Sequence, residues 1–466
     1  MVLNYEYFDC SMVLRTSYAN LDTLEQNLQK KVTFYIMLHN YIICHRFFAK
    51  RGCTNRRKMF YFQTYLDARK MKISFEKRYF SFNRIILLAT GLWPYQQSKV
   101  VQLQLMLFFS ILLSFIAFQL SRLLFVEYTF NFTIKILCVS LYIIFFAIKY
   151  ISFWINKETI KCLLEQLQYI YNDLKDKNEI AIYDKYGNIA KRITITFIIG
   201  EISCLCTLSG MQWWPWFLDM IIPKNETYTH HLIVLLSKYY DVQEKYYYFI
   251  LLHLSATITV GSFALVAVAT MMLSYAKHIC GMFRIASYRL EQAMTINTLQ
   301  SISLKTEIVI YKEIVYAVDI HRKAMKFAKF LINSMERSFL SVIMITVLCV
   351  SFNLYRISQT ESFTENVEET LIHLLIITFT LLYMFLANYT GQEITDYNNH
   401  VSFTAYNIPW YQAPLHIQKL ILVLIQRSNK TFTLNIGGLF TLSLECFASL
   451  LSTSVSYFTV MLSLQY

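Results

Sequence analysis

Residues that can do chemistry in water are few in this chain, and those that recur in a pattern sit in its last thirty positions. Glu445, Ser449, Ser452, Ser456, Thr459 and Ser463 follow one another at steps of four and three. That period stacks side chains along one face of an α-helix. The stretch that carries them, 442–464, is otherwise apolar. At ~1.5 Å per residue it is long enough to cross a ~30 Å hydrocarbon core. Lipid cannot solvate hydroxyls or a carboxylate, so the stripe must face protein or water. Two readings follow. One is a helix–helix contact, where Ser, Thr and Ala let backbones approach closely; the other is the wall of a water-filled pore. Glu445 could draw cations to the mouth of such a pore, cap the helix or form a salt bridge. No catalytic constellation competes with these readings. The histidines are scattered, and no His-Glu-x-x-His or Gly-rich phosphate loop occurs. His321 and His400 read as packing or solvated residues. Cys204-Leu-Cys206 is too tight for a zinc pair and has no partner set. No enzyme activity, cofactor or metal is expected.

The elements that must position the stripe are membrane spans. Of 466 residues, 56% are hydrophobic and only 16% charged, against about a quarter charged in soluble domains. The net charge of +13 comes from Lys and Arg lying between apolar runs. It reads as membrane-orienting charge, with the lipid bilayer and not nucleic acid as partner. The expected fold is all-α, with seven transmembrane helices at about 103–126, 132–154, 193–214, 246–275, 339–355, 371–389 and 442–464. Lys135 and Lys149 can snorkel from the ends of the second span. Glu201, inside the third, needs a partner or water. Trp213-Trp214-Pro215-Trp216 suits an interfacial aromatic belt. Segments 156–192 and 276–335 are rich in Lys and Arg and helical in period, whereas the long opposite loop 217–245 holds only Lys224, Lys238 and Lys245. The positive-inside rule therefore puts the N-terminus in the cytoplasm and the C-terminus outside. That topology is opposite to a G-protein-coupled receptor. The sequons at Asn131 and Asn225 then fall on the outer side, where glycosylation occurs. Pro414 to Ser428 reads as a short amphipathic helix, broken from the last span by Gly437-Gly438. The cysteines read as buried thiols.

Several motifs carry a resemblance. Ser443-Leu-Glu-Cys-Phe447 and Ser456-Tyr-Phe458 resemble the C-terminus of the insect odorant receptors. Tyr406-Asn-Ile-Pro-Trp-Tyr411, Gln418-Lys419 and Gln426-Arg427-Ser428 are similar to the same family's last cytoplasmic segment. The likeness begins near Met71, with Phe80-Ser-Phe-Asn83 and Ala89-Thr-Gly-Leu-Trp-Pro94. Residues 1–70 therefore read as an extension or an over-long gene model, and 71–466 as the receptor domain.

The resemblance implies a subunit of a tetrameric, ligand-gated, non-selective cation channel in the plasma membrane of olfactory sensory neurons. Its last helix would line the pore, with the gate at Val460 and Leu464 and Ser463 between them. Some relatives carry Gln at the position of Ser463. The resemblance also implies a pocket for small volatile odorants between spans two, three, four and six. Thr207, Gly210 and Trp214 match a small–Gly–Trp pattern there. Tyr142, Phe145, His253, Ala256, His373 and Ile377 are further candidates. The ending Ser456-Tyr457 with Ser463-Leu464 resembles a tuning subunit that needs the family co-receptor in a heterotetramer. A gustatory-type receptor channel and, from another class, a G-protein-coupled receptor are the alternatives.

Overall fold

The computed structural model describes residues 75–96, 98–125, 130–221, 247–299, 304–359, 367–428 and 432–464. The chain divides at Met71, and all described residues belong to the second unit, Lys72–Tyr466. The expectations for residues 1–70 and for Asn225 fall outside the described residues.

Helix dominates. A short α1 (Ser81–Ala89) precedes α2 (Lys99–Phe125), α3 (Phe130–Ile155), α4 (Lys157–Asp173), α5 (Lys177–Ile221), α6 (Tyr247–Leu299), α7 (Leu304–Ser358) and α8 (Val367–Asn407). A turn of 3₁₀ helix at Trp410–Gln412 leads into α9 (Leu415–Ser428). The two-residue strands β1 (Asn435–Ile436) and β2 (Phe440–Thr441) pair antiparallel before α10 (Leu444–Ser463). Seven of the helices (α2, α3, α5, α6, α7, α8 and α10) are long and apolar enough to cross a membrane. The all-α, seven-span architecture read from the sequence is therefore the one observed.

The spans differ from expectation in where they stop. Hydropathy closes spans three, four and six near 214, 275 and 389. In the structure, α5 continues through Pro215 to Ile221, α6 runs to Leu299 and α8 to Asn407. With 53 residues, α6 is ~80 Å long. Hydropathy detects only the lipid-facing part of such a helix. Beyond it the helix continues because a stripe at steps of three and four stays buried, through Tyr275, Ile279, Met282, Ala286, Leu290 and Ala293 on α6. Ile310, Ile314, Ala317, Ile320, Ala324 and Phe327 do the same on α7.

These extensions pack with α1 and α4 into a second bundle, the base. α4 shows why it joins them: Ile160, Leu163, Leu164, Leu167 and Ile170 are buried on one face, and Glu158 sits in the first turn, where the helix dipole favours a carboxylate. Several polar groups inside the base are paired, whereas neither ring nitrogen of the buried His278 has a hydrogen-bond partner among the described residues. Lys277 Nζ lies 2.6 Å from Glu393 Oε1, joining α6 to α8. Arg289 grips Glu179 of α5 and donates to the Tyr316 carbonyl at 2.9 Å. Asn83 on α1 donates to Thr270 Oγ1 and accepts from Thr194 and Ser274. Just before α1, the Tyr79 hydroxyl donates to Asp184; burial, then this bond, hold the phenol far above its usual titration range.

The β1–β2 turn was not legible in advance. Gly437 and Gly438 adopt φ of +61° and +68°, a left-handed conformation that L side chains rarely take. A Cβ on Gly437 would also lie 2.9 Å from Leu340 Cδ1. The two glycines thus reverse the chain between α9 and α10 and do more than interrupt a helix.

Glu393→Gln should strand the Lys277 ammonium inside the base. Expected is a loss on the order of 3 kcal/mol, read as a lower thermal unfolding midpoint of the purified protein. Pairing it with Lys277→Met should recover most of that loss.

Candidate functional site

Two features converge at the lipid-crossing end. The first is a partly open cavity of about 540 Å³ lined by α3, α5, α6, α7 and α8. Its walls are mainly apolar. Tyr142, Ile143 and Phe146 come from α3, Leu205 and Leu208 from α5, Leu254 and Ile258 from α6, and Phe379 and Tyr383 from α8. Tyr142 and Phe146 pack with ring centroids 4.6 Å apart. Polar lining is sparse: Lys149, Thr196, Glu201, Cys204, Ser262 and Thr390. The Glu201 carboxyl lies near the Ser262 hydroxyl, which itself donates to the Thr259 carbonyl at 3.4 Å. Such a wall suits a small apolar ligand held by burial, with a few polar groups to orient it.

The cavity floor is Leu434 and Leu442, which flank the β1–β2 turn, together with Gly391 of α8. A Cβ at Gly391 would fall 2.2 Å from Leu442 Cβ and 2.8 Å from its carbonyl oxygen. Only glycine permits that approach, so α8 rests directly on the residue that leads into α10.

The second feature is α10 itself. Ser443 caps it, its Oγ accepting from the Cys446 N–H at 3.1 Å. This fills the capping role left open for Glu445, which is exposed. One narrow face packs inward. Leu450 meets Val347 and Met384, while Met461 meets Ile134, Cys138 and Tyr355. Ser351 Oγ donates to the Ser454 carbonyl at 2.8 Å. The whole polar stripe, Glu445, Ser449, Ser452, Ser456, Thr459 and Ser463, lies on the opposite, exposed face. Val460 and Leu464, each one residue after a member of the stripe, are also exposed, at 53% and 74%. The Ser456, Thr459 and Ser463 hydroxyls donate to carbonyls of their own helix, which leaves acceptor lone pairs for a partner or water.

The pocket candidates divide. Tyr142 lines the cavity. Phe145 is buried beside it, its ring edge-on to Tyr383 at 5.0 Å, behind the wall. Thr207 is exposed and donates to the Ser203 carbonyl, and Gly210 faces open space. The cavity side of α5 is instead Glu201, Cys204, Leu205 and Leu208. Motif matching fixed the stretch but not its rotation, and two residues turn a helix by more than half a revolution. Trp214 lies among residues 211–221, whose side chains are not described. His253 points toward α2, contacting Ser114 Oγ at 3.0 Å and the Ile111 carbonyl at 3.3 Å. Ala256 is half-buried and Ile377 buried, both off the cavity wall.

His373 belongs to a polar cluster at the far end of α7 and α8. Its Nδ1 contacts Asn353 Oδ1 at 2.7 Å, and Glu369 joins Lys135 at 3.1 Å to Arg356 at 2.7 Å. Lys135 therefore forms an ion pair instead of snorkelling. Asn131 is exposed at the start of α3 and accepts from the Tyr355 hydroxyl. Among the described residues no group of His, Cys, Asp and Glu could hold a metal ion.

The sequence model of the family described as 7tm Odorant receptor matches residues 129–455. The chain belongs to the 7tm odorant receptor family. Odorant receptor 22c of Drosophila melanogaster is similar to this receptor, 24% identical over 46% of the chain and 52% of its own length. The odorant receptor coreceptor of Ooceraea biroi is 22% identical over 39% and 38%. Odorant receptor 10 of Aedes albopictus is 31% identical over 15% and 19%. The matches thus span about half or less of these relatives. The olfactory receptor OR5 of Machilis hrabei, solved in complex with eugenol, shares the fold. Its TM-score is 0.66 at 15% identity, covering 84% of this chain and 99% of that one.

Leu205→Ala should remove apolar contact worth ~1.5 kcal/mol from a ligand in this cavity, about tenfold in affinity. Thr207→Ala, on the other face of α5, should change it by less than about threefold. Thermal stabilisation of the purified receptor by an apolar ligand measures both.

Proposed function

We propose that this receptor is an odorant-tuning subunit that binds small volatile molecules in the cavity between α3, α5, α6, α7 and α8. It opens a non-selective cation channel built together with the family co-receptor as a heterotetramer. The observation that carries the reading is the exposed polar stripe of α10. Among the described residues it is exposed, and lipid cannot hydrate it. It therefore faces water on the axis of an assembly, with exposed Leu444, Val455 and Tyr457 on its flanks available to neighbouring subunits. Val460 and Leu464, one turn apart, would form apolar rings that close the pore by dewetting, and Ser463 would leave a small, weakly selective side chain between them.

The basic segments sit in the base, which the positive-inside rule assigns to the cytoplasm along with the N-terminus. An odorant burying about 250 Å² of apolar surface would gain ~6 kcal/mol, compatible with sensing at micromolar to millimolar levels after binding costs. The Gly391–Leu442 contact supports coupling, because displacement of α8 by a ligand must move the start of α10. The family resemblance between Odorant receptor 22c, a receptor proper, and this chain supports a tuning role; the coreceptor matches support the partnership.

Whole-cell current from cells expressing the receptor with and without the co-receptor tests the reading. Odorant-evoked current should require both. Val460→Ala or Leu464→Ala should raise the resting current several-fold. Ser456→Cys and Ser463→Cys should become blockable by a small water-borne thiol reagent, whereas buried Ser454→Cys should not. Current indifferent to all of these changes would assign the pore to the partner alone. An extracellular N-terminus by tag staining would instead favour a G-protein-coupled receptor.

A further inference from the structure

Among the described residues, Lys149 is the only cation and Glu201 the only carboxylate on the cavity wall. A lysine near the end of a span can snorkel to the interface. Lys149 does not: it is 5% exposed, and its Nζ lies 4.5 Å from the Phe339 ring centroid and 5.1 Å from that of Tyr383. Ring faces attract an ammonium but accept none of its three N–H donors in ordinary hydrogen bonds. Every other buried or nearly buried cation described above has a carboxylate: Lys135 and Arg356 share Glu369, Lys277 has Glu393, and Arg289 has Glu179. Lys149 has no carboxylate or hydrogen-bond acceptor among the described residues, and Glu201 forms no ion pair with it. An ammonium held on aromatic faces at the wall of an apolar cavity lacks a counter-ion.

We propose that a ligand carboxylate supplies it, so that the receptor's preferred ligands are medium-chain monocarboxylic acids bound as anions. The inference rests on the ligand-gated reading above and names its ligand class. Tyr142 lies seven residues before Lys149 on α3, ~10 Å along the helix. The wall between them is apolar, with Phe146 at its middle, and gives an alkyl chain a bed while the carboxylate docks at Nζ. Phe339 belongs to α7 and Tyr383 to α8, the helices against which α10 packs. The charged end of the ligand thus sits on the two helices that support the proposed pore.

The test uses receptor and co-receptor together, with hexanoate, octanoate and decanoate compared against the matching alcohols and methyl esters. At least one acid should evoke current. Lys149→Met should raise its half-maximal concentration about tenfold or more, while alcohol and ester responses stay within about threefold. Lys149→Arg should restore the acid response at least in part. Acids that are silent where alcohols or esters open the channel would overturn the proposal. So would a Lys149→Met shift equal for all three classes, the mark of a packing role. Thermal stabilisation of the purified complex by octanoate is read separately. If octanoate stabilises the wild type and not Lys149→Met while no ligand evokes current, the anchor stands and the channel reading falls. Absence of stabilisation by any of the acids overturns the anchor whatever the currents show.

Discussion

The fold depends on one constraint: hydrocarbon offers no partner to a polar group, so every such group in the lipid-crossing helices must be answered from within the protein or by water. Lys135, Arg356 and His373 converge on Glu369. The hydroxyls of α10 first satisfy their protons on their own backbone. Among the described residues, the outward stripe of α10 and the amine of Lys149 are two sets left incompletely answered. These two carry the functional argument, the first pointing to a partner or pore water and the second to a ligand.

The base solves a different problem. Four helices leave the lipid-crossing layer without stopping, and their apolar stripes need cover in water. α1 and α4 supply part of it, and the extensions bury one another for the rest. Ion pairs such as Lys277–Glu393 and Arg289–Glu179 tie α6 to α8 and to α5. The result is a rigid footing from which α7 and α8 rise to the cavity. Because α8 touches Leu442 at Gly391, cavity and last helix share one mechanical joint. A packed interface of this kind shifts between discrete arrangements more readily than it deforms.

The sequence by itself determined the class of fold, the number of spans and the polar face of α10. Each rests on composition or on a period that one helix imposes on its own residues: lipid selects apolar runs, and 3.6 residues per turn align Glu445 through Ser463. Tyr142, named from the sequence only as a further candidate, does line the cavity. Only the tertiary structure decided which side of α5 meets the cavity, that His253 and His373 serve contacts elsewhere, that Gly437 and Gly438 make a hairpin, and that Lys149 stays inside. Those outcomes depend on helix rotation and on neighbours distant in sequence: Phe339 and Tyr383 for Lys149, Asn353 and Glu369 for His373. A local pattern gives the face a helix presents, but which neighbour that face meets is set by packing among all of them.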